Sequence, residues 1–259
     1  MNVLEGTTAA VPDDVLVFLV SFLKQVQDAL GTDMVGMYLY GSLALGDFDA
    51  ASSDLDVLVA TARGVAAGQL DRFKRLHAAI EQGGSVWARR LEVAYLPVDA
   101  LRRHDPSGDT LHPFLSPVCP FGMIKLGEDW ILNRHVLFDK GVVLAGPPPS
   151  TLIDPISPED IRNTARNLLR HWRAHLSGPD WMKPRKYQAF TILTMCRALY
   201  AVQCGGILSK TRAAEWGMKN LPGEWSPLIR KAMFWRDDPN VADLKETLQF
   251  LRFATDSIN

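Results

Sequence analysis

Apolar side chains recur every three or four positions in the segment that follows Pro12. The positions from Val15 to Leu30 predict an amphipathic helix, which Gly31 ends. Short apolar runs bounded by glycine, proline or polar residues predict three strands, at 35–40, 54–60 and 91–96. Between the second and third strands, apolar positions repeat with a helical period from 70 to 80. This order predicts an α/β unit with a small mixed sheet.

Residues 97–130 carry five prolines and several glycines and have little periodicity. The pattern predicts an irregular connection that could line a site. A further element is expected from Ile131 to Ala145, and the run Gly146-Pro147-Pro148-Pro149 is the strongest linker signal in the chain. The sequence therefore predicts a first domain at 1–149 and a second at 150–259.

The second half has the pattern of helices. Ser157 is followed by Pro158, Glu159 and Asp160, which is the order expected of an N-cap, a proline in the first turn and acids beside the helix dipole. Further helices are predicted at about 184–204, 209–220, 227–235 and 241–254, each begun or ended by Ser, Pro or Gly. We expect an all-α bundle after the α/β unit.

Composition and charge narrow the classes of function. The 259 residues are 47% hydrophobic and carry a net charge of −1, which argues against a strongly basic nucleic-acid binder. Residues 1–149 hold 12 basic and 18 acidic side chains, whereas 150–259 hold 16 and 11. An acidic half suited to cations thus precedes a basic half suited to phosphates. No apolar run of membrane length and no secretion signal are recognised, so we expect a cytoplasmic protein, and a monomer, without a membrane partner.

Candidate chemistry lies where the first two strands meet. Gly41-Ser42 follows the first strand and offers backbone N–H groups and a hydroxyl without bulk, which suits a phosphate that approaches closely. Asp54 and Asp56 alternate along the second strand, so both project from one face and can share a metal ion. Glu92 interrupts the third apolar strand, where a charge needs a partner. Carboxylates of this kind hold Mg²⁺ together with nucleotide phosphates.

At these residues the chain resembles the polymerase-β-like nucleotidyltransferases, whose signature is G-S, a spacer, D-x-D and a later carboxylate. Within that superfamily it resembles the streptomycin/spectinomycin adenylyltransferases, which add an α-helical domain. The resemblance continues at 193–200 and 209–216. It implies that Asp54, Asp56 and Glu92 bind Mg²⁺, that Glu92 is the general base on the acceptor hydroxyl, and that Gly41 and Ser42 contact the nucleotide.

The resemblance also assigns roles in the helical half. Arg197 and Lys210 match basic positions that reach the triphosphate of ATP, with an active site expected in the cleft between the domains. Asp180 and Trp181 are candidates for binding the acceptor, and Glu128 or Asp129 could contribute. One departure concerns the stretch where the resistance enzymes present acids to a cationic drug. Here it reads Asp180-Trp181-Met182-Lys183-Pro184-Arg185-Lys186, with three cations that oppose such a drug.

The leading hypothesis is transfer of AMP from Mg-ATP to a hydroxyl of an aminoglycoside or aminocyclitol antibiotic, with release of pyrophosphate. Two alternatives stay open: the same chemistry on another small molecule or a protein side chain, and a nucleotide-binding module without turnover. His171 and His175 have a zinc-like spacing but are expected to face solvent. A second cluster, in the predicted connection, is expected to be a polar loop rather than a metal site; its members are His104, Asp105, Asp109 and His112.

Overall fold

The computed structural model describes residues 11–65, 67–105, 109–236 and 238–258. The first ten residues, in which no secretion signal was recognised, lie outside the described part. The chain forms two units that divide between Pro155 and Ile156. The proline-rich segment that resembled a linker is tied to the first unit, because the Tyr38 hydroxyl donates a 2.9 Å hydrogen bond to the carbonyl of Pro147.

The first unit is built on one mixed sheet, as the sequence predicted, but the sheet has six strands where the sequence indicated three. Its order is β5-β4-β3-β2-β1-β6, in which only the β2–β3 pair is parallel among the described strand pairs. The strands are β1 (Met34–Leu39), β2 (Leu55–Thr61), β3 (Leu91–Pro97), β4 (Leu111–Ser116), β5 (Cys119–Lys125) and β6 (Val142–Ala145). The helices of this unit are α1 (Asp13–Leu30), α2 (Gly41–Ala44), α3 (Ala67–Gln82), α4 (Val98–Arg102) and α5 (Trp130–Lys140).

Strand alternation divides the sheet into two chemically different faces. Val57 and Val93 point into a hydrophobic core that includes residues of α1 and α3, and this side is the apolar face. Asp56 and Glu92, one position away on the same strands, point to the other side, the carboxylate face. The functional carboxylates therefore share strands with the core residues that fix them in place.

Helix α1 belongs to that core. By length and hydropathy alone the stretch Asp13–Asp33 could cross a membrane. Its side chains Val15, Leu19, Phe22 and Val26 are almost fully buried within the first unit, however. Each such burial contributes roughly 1.5–3 kcal/mol, so the apolar stripe is accounted for by packing.

The prediction of an irregular connection at 97–130 is wrong. The segment contains α4, β4 and β5, and the last two form an antiparallel hairpin. Its prolines sit where strands tolerate them: Pro120 is on the edge strand β5, and Pro113 lies outside the pairing of β4 with β3, which covers Phe114 and Leu115. The next predicted element is in fact two, because Gly141 separates α5 from β6.

The second unit is helical, as predicted. It contains α6 (Pro158–Arg173), α7 (Arg185–Cys204), α8 (Lys210–Asn220), α9 (Ser226–Phe234) and α10 (Lys245–Asp256). Ser157 caps α6 in a reciprocal capping box with Asp160. Helix α7 is central, since it packs against the other four, and Ile192 and Met195 on it are fully buried. Helix α10 begins later than expected, because Val241 instead forms a β-bridge with Pro184.

Candidate active site

Gly41 lies directly under the carboxylate of Asp56. Its φ of +59° is in the left-handed region, and a Cβ added there would stand 1.7 Å from the Asp56 Oδ2 atom. Only glycine meets both requirements without displacing the carboxylate. The next residue, Ser42, has a buried Oγ that lacks a hydrogen-bond partner within the described residues. The motif thus combines a close backbone approach to a carboxylate at Gly41 with a buried Ser42 hydroxyl that has no partner among the described residues.

Asp56 and Glu92 face each other across the parallel pair of strands. They are direct partners in the register of β2 and β3, so their side chains leave the same face of the sheet on adjacent strands. Both side chains are half-buried. Glu92 therefore lies on the same face of the sheet as the aspartate, one strand away, and the core residues on the opposite face set this arrangement.

Asp54 is placed differently from Asp56. It is exposed and precedes the first residue of β2, Leu55. Within the described residues, no three His, Cys, Asp or Glu side chains are gathered into a metal-binding group. The two adjoining carboxylates still match Mg²⁺, which is commonly held by one or two protein carboxylates and takes its other ligands from water and phosphate.

Tyr40 holds this pair together and was not singled out from the sequence. Its hydroxyl donates a 3.0 Å hydrogen bond to Glu92 Oε1, and its backbone N–H donates to the carbonyl of Asp56 at 3.0 Å. Burial, together with the charges of Glu92 and Asp56, raises the pKa of Tyr40 well above its usual value. The hydroxyl therefore remains a donor. A phenol at the end of an apolar strand, just before Gly41-Ser42, was the available signal.

Helix α5 contributes Asp129 and Trp130 to the same region. The Trp130 ring packs 5.9 Å from the ring of Tyr40, and α5 lies against α2. The charge of Asp129 adds to those that raise the pKa of Tyr40, while partial desolvation raises the pKa of Asp129 itself. The charges of three carboxylates thus act on one buried hydroxyl, and this concentration of negative charge favours a cation.

The candidate phosphate-binding cations of the helical unit are both half-buried. Arg197 on α7 donates from Nε to the carbonyl of Leu208 at 3.1 Å, which ties it to the segment before α8. Lys210 begins α8, and its Nζ lies 5.1 Å from the centre of the Phe190 ring. Side-chain contacts within this unit therefore fix both residues.

The candidate acceptor residues lie on a short turn before α7. Asp180 is largely exposed and pairs with Lys183 at 2.8 Å. Trp181 belongs to an aromatic group, with ring centres 5.3 Å from His175, 5.9 Å from Tyr187 and 6.1 Å from Trp172. Two of the three cations in the stretch are engaged in ion pairs, since Arg185 pairs with Asp238 at 3.1 Å.

The remaining candidates from the sequence do not belong to any group of three His, Cys, Asp or Glu side chains that could hold a metal ion, within the described residues. His171 and His175 are exposed, as predicted, and His175 meets Trp172 edge-on. His112 is buried in β4, so it is not part of a polar loop. Asp109 pairs with Lys125 at 2.8 Å.

Comparison with known proteins assigns a class to each unit. The nucleotidyltransferase domain family matches residues 19–111, which hold Gly41-Ser42, Asp54, Asp56 and Glu92. The C-terminal domain family of aminoglycoside adenylyltransferases matches residues 151–256. The first unit is therefore a nucleotidyltransferase domain by class. More narrowly, the chain is similar to the aminoglycoside adenylyltransferases, whose C-terminal domain family matches its helical unit.

Individual relatives are distant. An aminoglycoside (3'') (9) adenylyltransferase of Rhizobium radiobacter is 28% identical over 46% of this chain and 44% of its own length, so less than half of that relative is matched. A spectinomycin 9-adenylyltransferase of Staphylococcus aureus is 27% identical over 80% of this chain and 79% of its own. The fold is similar to spectinomycin adenyltransferase AAD(9) from Enterococcus faecialis, crystallised with ATP and spectinomycin: the TM-score is 0.70 at 16% identity, over 92% of this chain and 97% of that one.

Proposed function

We propose that this protein is an adenylyltransferase that moves AMP from ATP to a hydroxyl of an aminoglycoside or aminocyclitol antibiotic and releases pyrophosphate. The observation that carries the proposal is the in-register pairing of Asp56 with Glu92 beside Gly41-Ser42. The relatives named for this activity support the choice of nucleotide and acceptor. Because ATP is an intracellular substrate, we place the reaction in the cytoplasm.

The residues around the carboxylate face have different roles in the proposed reaction. Glu92 accepts the proton of the acceptor hydroxyl, and the resulting oxygen attacks the α-phosphorus as the bond to the β-phosphate oxygen breaks. Tyr40 holds Glu92 through its hydrogen bond to Oε1, so the base keeps its orientation. Ser42 offers its hydroxyl to a phosphate oxygen, which would satisfy an Oγ atom that has no hydrogen-bond partner in the described part of the chain.

A divalent cation belongs to this proposal. Asp56 and Glu92, with Asp54 from the segment before β2, would hold Mg²⁺. When bound there, Mg²⁺ supplies charge neutralisation on the phosphates and alignment of the attacking and leaving oxygens. Arg197 and Lys210 are proposed to supply further positive charge to the triphosphate.

One observation on the helical unit favours a second candidate for the acceptor of the transfer. Asp180 is already paired with Lys183, so the helical unit offers a cationic drug less free negative charge than a resistance enzyme would need there. The second candidate is therefore the same transfer to a different small molecule or to a protein side chain. Trp181, 37% exposed, remains available as a stacking face for either acceptor.

The test is incubation with ATP labelled on the α-phosphate, with and without magnesium. Separate reactions contain a panel of aminoglycosides and aminocyclitols or a cell extract. We expect labelled antibiotic and one pyrophosphate per transfer, lost without magnesium and in Glu92→Gln. Labelled protein with unlabelled drugs would select the second candidate. ATP binding without pyrophosphate release under every condition would identify a nucleotide-binding module instead.

A further inference from the structure

A cavity of about 670 Å³ opens beside α3 and the β4–β5 hairpin. Helix α3 contributes Lys74, His77, Ala78 and Glu81, whose spacing places them on one face of the helix. The hairpin and the start of β3 supply most of the remaining wall. The volume is within the range of small-molecule sites, which are concave and mostly apolar with a few convergent polar groups.

One wall of the cavity is aromatic and uncharged. The rings of His77 and Phe121 stack with centres 4.8 Å apart and planes 26° from parallel. His77 is 5% exposed and its Nε2 is 2.8 Å from the Tyr95 hydroxyl. Burial lowers the pKa of His77 to about 4, so the imidazole is neutral at pH 7. Such a wall favours stacking with a planar apolar group.

The rim carries an excess of positive charge. Arg89 lines the cavity and is exposed, and its side chain has no ion pair or hydrogen bond in the described part of the chain. Lys74 is held only loosely, with Nζ 3.7 Å from Asp71. Glu81 is the single carboxylate among the lining residues. Among the lining residues two cations stand against one acid, and this excess of positive charge favours an anionic ligand.

We propose that this cavity is a second small-molecule site, which binds a small aromatic carboxylate. The ring of the ligand lies along the wall of His77 and Phe121, and its carboxylate meets Arg89 and Lys74. Leu91, which lines the cavity, belongs to the core on the apolar face, whereas Glu92 points to the carboxylate face. The site is therefore separate from the candidate active site, and the proposal does not rest on the proposed function.

The experiment measures binding of 4-fluorobenzoate to the intact protein by ¹⁹F NMR line broadening, with neutral 4-fluorobenzamide as the matched probe. We expect the carboxylate to bind about three- to fivefold more tightly than the amide, because exposed charge pairs contribute modestly. The ring protons of His77 should shift on addition of 4-fluorobenzoate. Absence of binding at millimolar protein and probe, or equal affinity for the two probes, would overturn the proposal.

Variants locate the probe. Arg89→Gln should weaken 4-fluorobenzoate about three- to fivefold and leave 4-fluorobenzamide unchanged. Ala78→Trp, which fills the cavity from an exposed helix position, should weaken both probes at least about tenfold. Arg75→Gln, on the same helix but outside the lining, is the matched control and should change neither. Binding that Ala78→Trp and Arg89→Gln leave intact would mean that the probe sits elsewhere, and the proposal would fail.

Because Ala78→Trp alters a helix, its thermal unfolding must be compared with that of the wild type. Arg89→Gln removes an exposed charge without disturbing packing, so it tests the charge argument even if the tryptophan variant is unstable. Glu81→Gln should change the affinity for 4-fluorobenzoate in the opposite direction. Removing the lone carboxylate of the rim should tighten 4-fluorobenzoate about two- to threefold, and a weaker affinity would contradict the charge assignment.

Discussion

The two units hold their candidate functional groups in different ways. In the α/β unit, Asp56 and Glu92 are set by strand register, and the side chains on the opposite face of the same strands are buried in the core. In the helical unit, the side chains of Arg197, Lys210 and Asp180 contact a carbonyl, a ring and a lysine. Backbone register fixes a group more tightly than a contact at the end of a rotatable side chain. We infer that the reaction geometry belongs to the first unit and adjustable ligand recognition to the second.

The sharpest test of that contrast is Glu92→Gln. The amide keeps the acceptor oxygen for the Tyr40 hydroxyl but cannot accept a proton, so kcat should fall about 10²- to 10⁴-fold with little change in Tm. Turnover is measured as pyrophosphate release. Asp71→Asn, on α3, is the control and should retain wild-type turnover. Wild-type kcat in Glu92→Gln would remove the glutamate from the reaction.

Gly41→Ala tests how tightly the sheet packs at the site. A methyl group at this position meets the Asp56 carboxylate and must adopt a left-handed φ, which should cost about 2–4 kcal/mol of unfolding free energy and displace Asp56. Urea unfolding and pyrophosphate release measure the two effects. Gly68→Ala is the matched control, because a Cβ there meets nothing within 4 Å and the residue is helical. It should be neutral or stabilising by up to about 1 kcal/mol. Equal outcomes for the two glycines would contradict the close packing.

His77, which packs on the apolar face of the sheet, should make the stability of the protein depend on pH. The folded-state pKa of His77 is about 4, below the ordinary value of 6.5, so the unfolded chain binds more protons between those values. Stability should therefore fall as pH drops below about 6.5, by roughly 2 kcal/mol at pH 5 from this residue. Urea unfolding at pH 7.5 and pH 5 measures the change. His77→Phe should reduce the difference between the two conditions, and an unchanged difference would remove His77 as its source.

Arg197→Met examines the helical unit. If the guanidinium reaches phosphate, KM for ATP should rise about tenfold while kcat changes less. Arg170→Met, an exposed arginine on α6, serves as the control. The alternative is a structural arginine, whose hydrogen bond to the carbonyl of Leu208 stabilises the segment before α8. In that case Tm would fall and KM for ATP would stay at the wild-type value.

The smallest expected effect is that of Asp180→Asn. Its ion pair with Lys183 is exposed, so the unfolding free energy should change by less than about 0.5 kcal/mol. If Asp180 contacts a cationic acceptor, KM for that acceptor should rise about three- to fivefold while KM for ATP stays constant. An unchanged KM for every antibiotic tested would favour the second candidate acceptor.

Local patterns were sufficient for much of the fold. Helical periodicity predicted α1, α3 and most of the helical unit. The Ser157 cap could also be predicted, because its contacts are between neighbours in sequence. The hairpin of β4 and β5 was missed because its prolines suggest a loop, and only the edge position of β5 and the partial pairing of β4 make them tolerable. Strand pairing depends on partners distant in sequence, which periodicity does not report.

The residues of the candidate site likewise fall into those that the sequence indicated and those that only the structure revealed. Gly41, Ser42, Asp54, Asp56 and Glu92 were candidates from the sequence, since each lies at the end of or within an apolar run. Tyr40 and Asp129 were recognised as neighbours of the carboxylates only through tertiary structure. Their roles come from packing between α5, α2 and β1, which leaves no regular trace in the sequence.

By itself the sequence determined most of the helices, the first three strands, the positions of the carboxylates along the chain and the change from an α/β part to a helical part. These follow from local periodicity and from residue types that carry specific chemistry. Tertiary structure decided that Glu92 faces Asp56, that Tyr40 binds Glu92 and that a cavity lies on the apolar face. Each of these depends on which strands become neighbours, and that choice is made by burial across the whole unit.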